Sequence, residues 1–439
     1  MTTESTLMSE FLAALWVMVP MALVFAFCEW LHHVKKVAVE TTRKISHVVG
    51  GMAVLVLPWV AGTHWTVLGI AITFALVLVI SKKLQLLPSI HNVARKTRGA
   101  EYYPIAVYLI FLLSAGNPLL YSVPILVMAF SDTGAAVVGQ RYGLVSYRVI
   151  DGFRSLGGSV TFFGLTFALV LMGLGIAGYG DLPTVLLITL LTAIIVTAVE
   201  GISVHGADNI LVPYATWLVL RHAIGLDRDE LGLWVMGTAL TLTMLLATYR
   251  QAKLNATAFM AAFVAGTLTF GLGGPLWFAI LCVPYLLYSA TRPLVADSAP
   301  HNSTDMPALV STFSVSLLLV LAFGHTGEAL MFVPFAASVA TVAGIVMAGV
   351  LHSKAFGTVI VVLGGTLASM AALLPIAFAD KVSPPMNVLV WLALLGGFVG
   401  PIAVQGFRGL EWSPSRARLG GVLMGTAAAA TWVVGQVLG

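Results

Sequence analysis

Long uninterrupted apolar runs alternate with short polar stretches along the whole chain. About 16 runs can be distinguished, several of only about 14–16 residues, whereas a helix needs roughly 20 residues to cross a bilayer. They lie near residues 10–30, 48–63, 65–80, 102–115, 117–131, 158–178, 182–199, 210–226, 231–248, 256–272, 275–291, 307–323, 329–350, 355–377, 387–405 and 417–438. Because the runs are continuous and do not alternate between polar and apolar residues, they predict helices and argue against a transmembrane barrel.

The composition supports a membrane protein. Of the 439 residues, 59% are hydrophobic and 9% are charged, whereas a soluble domain has about 25% charged residues. No small-residue cleavage pattern follows the first apolar run, so we expect a retained helix there. Cys28 and Cys282 lie in separate apolar runs and indicate neither a disulfide framework nor a zinc site. We therefore predict an all-α polytopic membrane protein with about 14–16 transmembrane helices in two halves.

Basic residues concentrate on one side of the predicted membrane. If every apolar run crosses the bilayer, all but three of the 22 Lys and Arg residues fall on the same side, the exceptions being Arg221, Arg228 and Lys381. Positive residues mark the cytoplasmic side, and we expect the membrane to be the plasma membrane of a prokaryote. The same side receives four polar loops, at 39–51, 94–104, 131–159 and 199–213.

These four loops carry the candidate chemistry. Asp132 follows an apolar run directly, and Glu101, Glu200 and Asp208 stand at similar membrane-edge positions. Mg²⁺ prefers oxygen ligands and usually takes one or two protein carboxylates. Glycines at 134, 139 and 143, and at 157 and 158, allow backbone N–H groups to approach a phosphate. The same glycine spacing is also typical of packed membrane helices.

Four short motifs occur in order along residues 30–225. They are Arg43-Lys44-x-x-His47, Gly99-x-Glu101-x-x-Pro104, Asp132-x-x-Ala135-x-x-x-Gly139-x-x-x-Gly143 followed by Arg154-Ser155-x-x-Gly158-Ser159, and Glu200 with Asp208-Asn209-x-x-x-Pro213. As a set they resemble the motifs of the polyprenol kinases, the family of phytol kinase, dolichol kinase and the CTP-dependent diacylglycerol kinase of fungi. That family usually has Lys where Arg154 stands and Glu where Gly157 stands.

The resemblance implies a membrane kinase. It would transfer the γ-phosphoryl group of CTP, or of another nucleoside triphosphate, to a prenol such as phytol, geranylgeraniol, farnesol or a polyprenol, with Mg²⁺ as cofactor. Besides the nucleotide and the prenol, the expected partners are membrane lipids; nucleic acid is not expected. Whether copies of the chain associate into a homo-oligomer stays open.

The resemblance also implies roles for individual residues. The metal is assigned to Asp132, Asp208 and Glu200, and the catalytic residues are Asp132, Glu101 and His47, with Glu101 or His47 accepting the proton of the alcohol. The nucleotide and its phosphates are assigned to a set of basic, glycine, serine and amide residues: Arg43, Lys44, Gly134, Gly139, Arg141, Gly143, Arg154, Ser155, Gly158, Ser159 and Asn209.

Two other functional classes stay open. A cytidylyltransferase that forms a CDP-lipid needs the same nucleotide, metal and lipid, but it releases pyrophosphate. The number of helices would also suit a transporter. A transporter is expected to place ionisable residues in the middle of its spans, whereas nearly all of them lie at span ends here.

The two halves differ in polar content. Residues 1–225 hold all four motifs and are predicted to form the prenol kinase-like catalytic membrane domain. Residues 230–439 have few loop carboxylates. Their segment 333–349 aligns without gaps on 123–139, with Val342 at the position of Asp132. This second membrane domain is expected to be a degenerate repeat or a scaffold.

Overall fold

The computed structural model describes residues 3–91, 97–143, 145–150, 152–294, 306–354, 356–377 and 391–396, together with residues 398, 422–423 and 426–427. Lys381 and most of the predicted apolar runs at 387–405 and 417–438 lie outside these residues. The chain divides into two compact units, Met1–Leu231 and Gly232–Gly439.

The first unit is built almost entirely of helices. Those within its described residues are α1 (Thr3–His33), α2 (Val39–Val54), α3 (Leu57–Val60), α4 (His64–Lys83), α5 (Pro88–His91), α6 (Gly99–Ser114), α7 (Pro118–Leu126), α8 (Asp132–Tyr142), α9 (Leu156–Ile176), α10 (Leu182–Ile202) and α11 (Asp208–Ile224). Around the motifs, α2 packs on α1 and α5, α8 packs on α9, and α11 packs on α6 and α10.

Local sequence explains where several of these helices begin. The side chain of Asn117 accepts hydrogen bonds from the backbone N–H groups of Leu119 and Leu120, and Pro118 takes the first helical position, where no N–H is needed. Ser155 caps α9 in the same way by accepting a bond from the N–H of Gly158. Both capping residues fix the point at which a membrane helix leaves a polar loop.

A π-helical turn, Val127–Ser131, joins α7 to α8. Pro118–Tyr142 is therefore one continuous helical stretch that ends well beyond the predicted apolar run at 117–131. Asp132 is the first residue after the π turn. The turn thus sets the direction in which Asp132 and the following glycines leave the helix axis.

One β-hairpin interrupts the helices of the first unit, and the sequence analysis did not anticipate it. Strand β1 (Ser146–Val149) pairs antiparallel with β2 (Gly152–Ser155), so that Tyr147 stands opposite Arg154. Gly152 has a φ of +130°, a conformation that glycine adopts without steric cost. The hairpin lies in the polar loop between α8 and α9 and carries Arg154 on its second strand.

Ten helical stretches of the described residues are long and apolar enough to cross a bilayer. This confirms the prediction of an all-α polytopic membrane protein. Some predicted segments are merged: the runs at 256–272 and 275–291 belong to one helical stretch, Ala256–Leu294. Others form shorter helices, such as the 16-residue α6 and the 17-residue α11.

In its described residues the second unit is also helical. It contains the greater part of α12 (Arg228–Ala252), α13 (Ala256–Leu268), α14 (Gly274–Thr291), α15 (Met306–Thr326), α16 (Phe332–Ser353) and α17 (Thr358–Ala377). Helix α16 lies at its centre and packs on α14, α15 and α17. Side-chain hydroxyl groups link α15 and α17 to α16. The hydroxyls of Ser316 and Ser338 are hydrogen-bonded at 2.8 Å, and the hydroxyl of Ser369 donates to the carbonyl of Ala340 at 2.9 Å. Within this described part the one carboxylate is that of Glu328.

Candidate active site

A polar cavity of about 660 Å³ lies where three of the four motif loops meet. It is enclosed by α2, α8, the hairpin, the first turn of α9, the end of α10 and the start of α11. Ten of the predicted site residues line it: Lys44, Asp132, Gly139, Gly143, Arg154, Ser155, Gly158, Ser159, Glu200 and Asp208. The fold therefore gathers residues that are spread over most of the first unit.

Lys44 and Asp132 form an ion pair in this cavity. The Nζ atom of Lys44 donates a hydrogen bond of 2.5 Å to Oδ2 of Asp132. Lys44 is 9% exposed at its side chain, so the pair leaves no lone charge in a largely buried position. The pair joins the middle of α2 to the first residue of α8.

Arg154 and Glu200 form a second ion pair across the cavity. The Arg154 guanidinium also donates a hydrogen bond of 3.2 Å to the carbonyl of Ser203. Glu200 is 5% exposed at its side chain and lies near the end of α10. On the hairpin, the hydroxyl of Tyr147 lies 2.8 Å from that of Ser159 and so ties β1 to the first turn of α9.

Four carboxylates line this cavity, those of Glu40, Asp132, Glu200 and Asp208. Within the described ranges, no three His, Cys, Asp or Glu side chains are close enough to hold a metal ion by themselves. The donor set is made of carboxylate oxygens, which are hard ligands. Asp132 is neutralised by Lys44, Glu200 by Arg154 and Glu40 by Arg43.

The glycines of α8 pack closely against the start of α9. A methyl group on Gly134 would collide with Leu165, and one on Gly139 would lie 2.6 Å from the hydroxyl oxygen of Ser155. Gly139, Gly143 and Gly158 also line the polar cavity, whereas Gly134 does not. Close helix packing thus accounts for Gly134, and the other three glycines serve both the packing and the cavity wall.

Arg43, His47 and Asn209 line a different cavity, which is mostly apolar and has a volume of about 80 Å³. Arg43 donates a hydrogen bond of 2.7 Å to Glu40. Burial lowers the pKa of the Arg43 guanidinium, but the hydrogen bond to Glu40 and the charges of Glu40, Asp132 and Asp208 outweigh burial and leave that pKa raised. Arg43 is therefore charged beside an apolar space.

His47 is held neutral at the edge of this second cavity. Its Nε2 atom lies 3.1 Å from the carbonyl oxygen of Met128, and since a carbonyl only accepts, Nε2 carries the proton and Nδ1 is the acceptor nitrogen. Burial lowers the pKa of the imidazole to about 4, an effect that the charge of Asp132 opposes and that of Lys44 supports.

Besides Gly134, two predicted site residues are not brought into either cavity. Glu101 accepts a hydrogen bond of 2.6 Å from Lys82 and is absent from both linings. Arg141 is exposed, and its guanidinium lies over the ring of Tyr142. Each of the two is adjacent in sequence to a residue that lines a cavity. Adjacent side chains on a helix point about 100° apart, however, so Glu101 and Arg141 face elsewhere.

The structure also brings residues to the site that the sequence analysis did not assign. Glu40, Gln140, Phe153 and His205 line the polar cavity. Tyr103 lines the apolar cavity, and its ring packs edge-on against His47 with 5.0 Å between the ring centroids. Tyr103 lies inside the Gly99–Pro104 motif, so the sequence could have indicated it as a site residue by its position in that motif.

The first unit therefore combines a charged cavity with an apolar one, and residues of α2 and of the start of α11 contribute to both. No protein-family model matches the chain, and no solved structure matches it. Over 212 residues the chain is 31% identical to the phytol kinase of Synechocystis sp.. The match covers 47% of this chain and 91% of that relative.

Proposed function

Because this chain belongs to the polyprenol and phytol kinase family, we propose that it transfers the γ-phosphoryl group of CTP, or of another nucleoside triphosphate, to the hydroxyl of a prenol. The candidate acceptors are phytol, geranylgeraniol, farnesol and polyprenols. One observation carries the proposal: the charged cavity and the apolar cavity are both lined by residues of α2 and of the start of α11. A water-soluble and a lipid substrate can thus meet at one place.

The polar cavity suits the nucleotide. Its volume of about 660 Å³ lies within the range of about 300–1,000 Å³ that small-molecule sites occupy. Lys44 and Arg154 place two cationic groups in it, and Ser155 and Ser159 add hydroxyls. Phosphoryl transfer depends mainly on positioning and on neutralising charge on the phosphate oxygens, so these are the roles that we assign to the four side chains.

The carboxylates of the same cavity are suited to Mg²⁺. Asp132, Asp208 and Glu200 offer hard oxygen donors, and Mg²⁺ is typically held by one or two carboxylates together with substrate phosphates. The absence of a three-residue cluster among the described residues therefore fits a metal that arrives with the nucleotide. When bound, Mg²⁺ would supply charge neutralisation at the phosphate oxygens.

The two ion pairs suggest how the protein accommodates these charges. Before the nucleotide binds, Lys44 neutralises Asp132, and Arg154 neutralises Glu200. A buried ion without a partner is costly. Binding of phosphates then gives Lys44 and Arg154 new anionic partners and releases both carboxylates for the cation. Nucleotide and metal are therefore expected to bind cooperatively.

In the transfer step the alcohol oxygen forms a bond to the γ-phosphorus while the bond from that phosphorus to the bridging β–γ oxygen breaks. The products are the prenyl monophosphate, the nucleoside diphosphate and one proton. We propose that His47 receives this proton in preference to Glu101, because His47 lines the apolar cavity and has its Nδ1 atom as an acceptor, whereas Glu101 is paired with Lys82 outside both cavities.

We place the polar cavity at the cytoplasmic face of a prokaryotic plasma membrane. The support is the distribution of Lys and Arg along the sequence, which the positive-inside tendency assigns to the cytoplasm. Nucleoside triphosphates are cytosolic and prenols reside in the bilayer, so this face is where both substrates are available.

The experiment that tests the function uses the purified full-length chain in lipid nanodiscs. A panel of γ-labelled nucleoside triphosphates is combined with phytol, geranylgeraniol, farnesol and a polyprenol. We expect transfer of label to at least one alcohol, with release of the nucleoside diphosphate. Release of pyrophosphate and formation of a CDP-lipid would identify a cytidylyltransferase instead. Absence of any chemistry with all four alcohols would contradict the proposal.

A further inference from the structure

The apolar cavity of the first unit has a polar edge. Most of its wall consists of apolar side chains of α1, α4 and α6. Its polar side chains are those of Arg43, Ser46, His47, Tyr103 and Asn209. A cavity of this kind suits a molecule that is apolar over most of its length and polar at one end.

Residues that are adjacent in sequence divide between the two cavities. On α2, Lys44 lines the polar cavity and Arg43 the apolar one; on α11, Asp208 lines the polar cavity and Asn209 the apolar one. Helix α2 and the start of α11 thus contribute to the walls of both. A polar group at the edge of the apolar cavity would lie close to the residues that we assign to the phosphates.

Tyr103 provides an independent indication of a ligand in the apolar cavity. Its hydroxyl is buried and has no hydrogen-bond partner among the residues that the structure describes. It lies over the glycines of α2, where a methyl group on Gly51 would be 3.4 Å from it. Nearly all buried polar side-chain atoms have a partner, and an unsatisfied one is costly. A ligand hydroxyl could both donate to and accept from this group.

We propose that the apolar cavity takes the hydroxyl end of the alcohol acceptor, with Tyr103 as its hydrogen-bonding partner, and that the acceptor is selected by the carbons next to its hydroxyl and not by its chain length. This inference rests on the proposed kinase function and deepens it, since it names the part of the acceptor that the protein recognises.

The size of the cavity supports recognition of one end only. Its volume is about 80 Å³, and one water-sized group needs about 10–15 Å³ of such space, so the hydroxyl and the first several carbons can be enclosed but not a long prenol. The remainder of a long chain must lie outside. Helices α1 and α4, which form part of the wall, are both long and apolar enough to cross a bilayer. They expose apolar side chains such as Leu23 and Leu76, along which the rest of the chain can lie in the lipid.

The first test compares acceptors presented at equal mole fraction in nanodiscs. Farnesol, geranylgeraniol and a long polyprenol share the same hydroxyl end and differ in length, so we expect similar kcat/KM values for all three. Nerolidol has the same atoms as farnesol but a crowded tertiary hydroxyl, and we expect at least about a 10-fold lower kcat/KM, which corresponds to about 1.4 kcal/mol. A steep dependence on chain length with no discrimination against nerolidol would overturn the proposal.

The second test fills the cavity. Ala71 is 8% exposed and lines it, whereas the next residue, Ile72, is 50% exposed and faces outwards. We expect Ala71→Phe to raise the KM for farnesol at least about 10-fold while the nucleotide KM stays unchanged, and we expect Ile72→Phe to behave like the wild type. Equilibrium binding of radiolabelled farnesol without nucleotide should show the same contrast.

Tyr103→Phe tests the hydrogen bond without changing the packing. Loss of the hydroxyl should raise the farnesol KM about 5- to 20-fold, as expected for one lost hydrogen bond, and leave the melting temperature unchanged or higher, since an unsatisfied buried group is removed. If both Ala71→Phe and Tyr103→Phe bind and use farnesol normally while the wild type is active, the cavity assignment is wrong and the kinase function stands. If the wild type phosphorylates none of the alcohols, both proposals fall.

Discussion

Lys44 and Asp132, which are 88 residues apart in sequence, are joined by a hydrogen bond of 2.5 Å between Nζ and Oδ2. Both side chains line the cavity that we assign to the nucleotide. The residue expected to contact phosphates therefore neutralises the residue expected to contact the metal. This pairing explains how both charges are kept in a largely buried site.

Asp132→Asn preserves the shape of the side chain and removes its charge. We expect kcat/KM to fall by at least about 100-fold, the scale on which a preorganised charge contact acts in catalysis. Phosphorylation of the prenol is measured together with size-exclusion chromatography, which reports whether the variant is folded. Asp181→Asn is the control, because Asp181 is an exposed carboxylate paired with Arg228 away from both cavities, and it should leave the activity nearly unchanged. Near-normal turnover of Asp132→Asn would remove Asp132 from the site.

Two substitutions of Arg154 separate its contact with the nucleotide from its contribution to the stability of the fold. Arg154→Ala should raise the nucleotide KM, because a charge-assisted contact is lost, and it should also destabilise the fold by leaving Glu200 buried without its partner. Arg154→Lys retains the charge that the family usually carries at this position and should keep substantial activity.

The matched control for these variants is Arg148→Ala. Arg148 is an exposed arginine on the first strand of the same hairpin and stands outside the cavity lining. Nucleotide titrations of all three proteins, with thermal melts, separate the two effects. A fully active Arg154→Ala would rule out its contact with the nucleotide.

Gly139 and Gly134 distinguish packing from ligand contact. An added methyl group is crowded at both positions, so both Gly→Ala variants should lose stability, typically about 1–3 kcal/mol for an overpacked site. Only Gly139 also lines the polar cavity. We therefore expect a raised nucleotide KM in Gly139→Ala and not in Gly134→Ala, with the prenol KM unchanged in both. Equal nucleotide KM values in the two variants would assign this glycine series to packing alone.

His47→Gln and Glu101→Gln compare the two candidates for the alcohol proton. General-base groups contribute about 10²–10⁴-fold to rates, and we expect the lower end of that range for His47, since phosphoryl transfer depends little on deprotonation of the nucleophile. Glu101→Gln should be almost as active as the wild type. Because burial lowers the pKa of His47 to about 4, its imidazole is already neutral between pH 6 and 8. His47→Gln should therefore lower the pH–rate profile over that range without changing its shape. The opposite ranking of the two variants would return the role to Glu101.

Much of the fold was accessible from the sequence because its determinants are local. Continuous apolar runs specify membrane helices wherever they occur, and Pro118 and Ser155 mark helix starts by their own chemistry. The hairpin also had a local turn signal that was overlooked, the dipeptide Asp151-Gly152, although the pairing of Val149 with Gly152 places Gly152 at the start of β2. Two strands of four residues each are easily missed in a polar loop of a helical protein.

The site was accessible only in part, because it depends on which direction each side chain takes. Four loops on one side of the membrane suggested one shared site, and three of them meet at the polar cavity. The sequence did not separate Arg43 from Lys44, since neighbours on a helix diverge by about 100° and only the packing of α2 decides what each one faces. Similarly, the orphan hydroxyl of Tyr103 is a property of its surroundings and has no counterpart in a motif.

The π turn before Asp132 has a consequence for the tolerance of this region to insertions and deletions. A π turn accommodates one more residue than an α turn. Because the turn holds one residue more than an α turn, deleting one residue, for instance Ala129, would let Val127–Ser131 rewind as ordinary α-helix and would leave the residues after it facing nearly the same way. Asp132 would then still face Lys44, whereas deleting one residue from the α-helix before the turn would rotate Asp132 and Gly139 by about 100°. This segment should therefore tolerate the loss of one residue far more readily than the α-helix that precedes it.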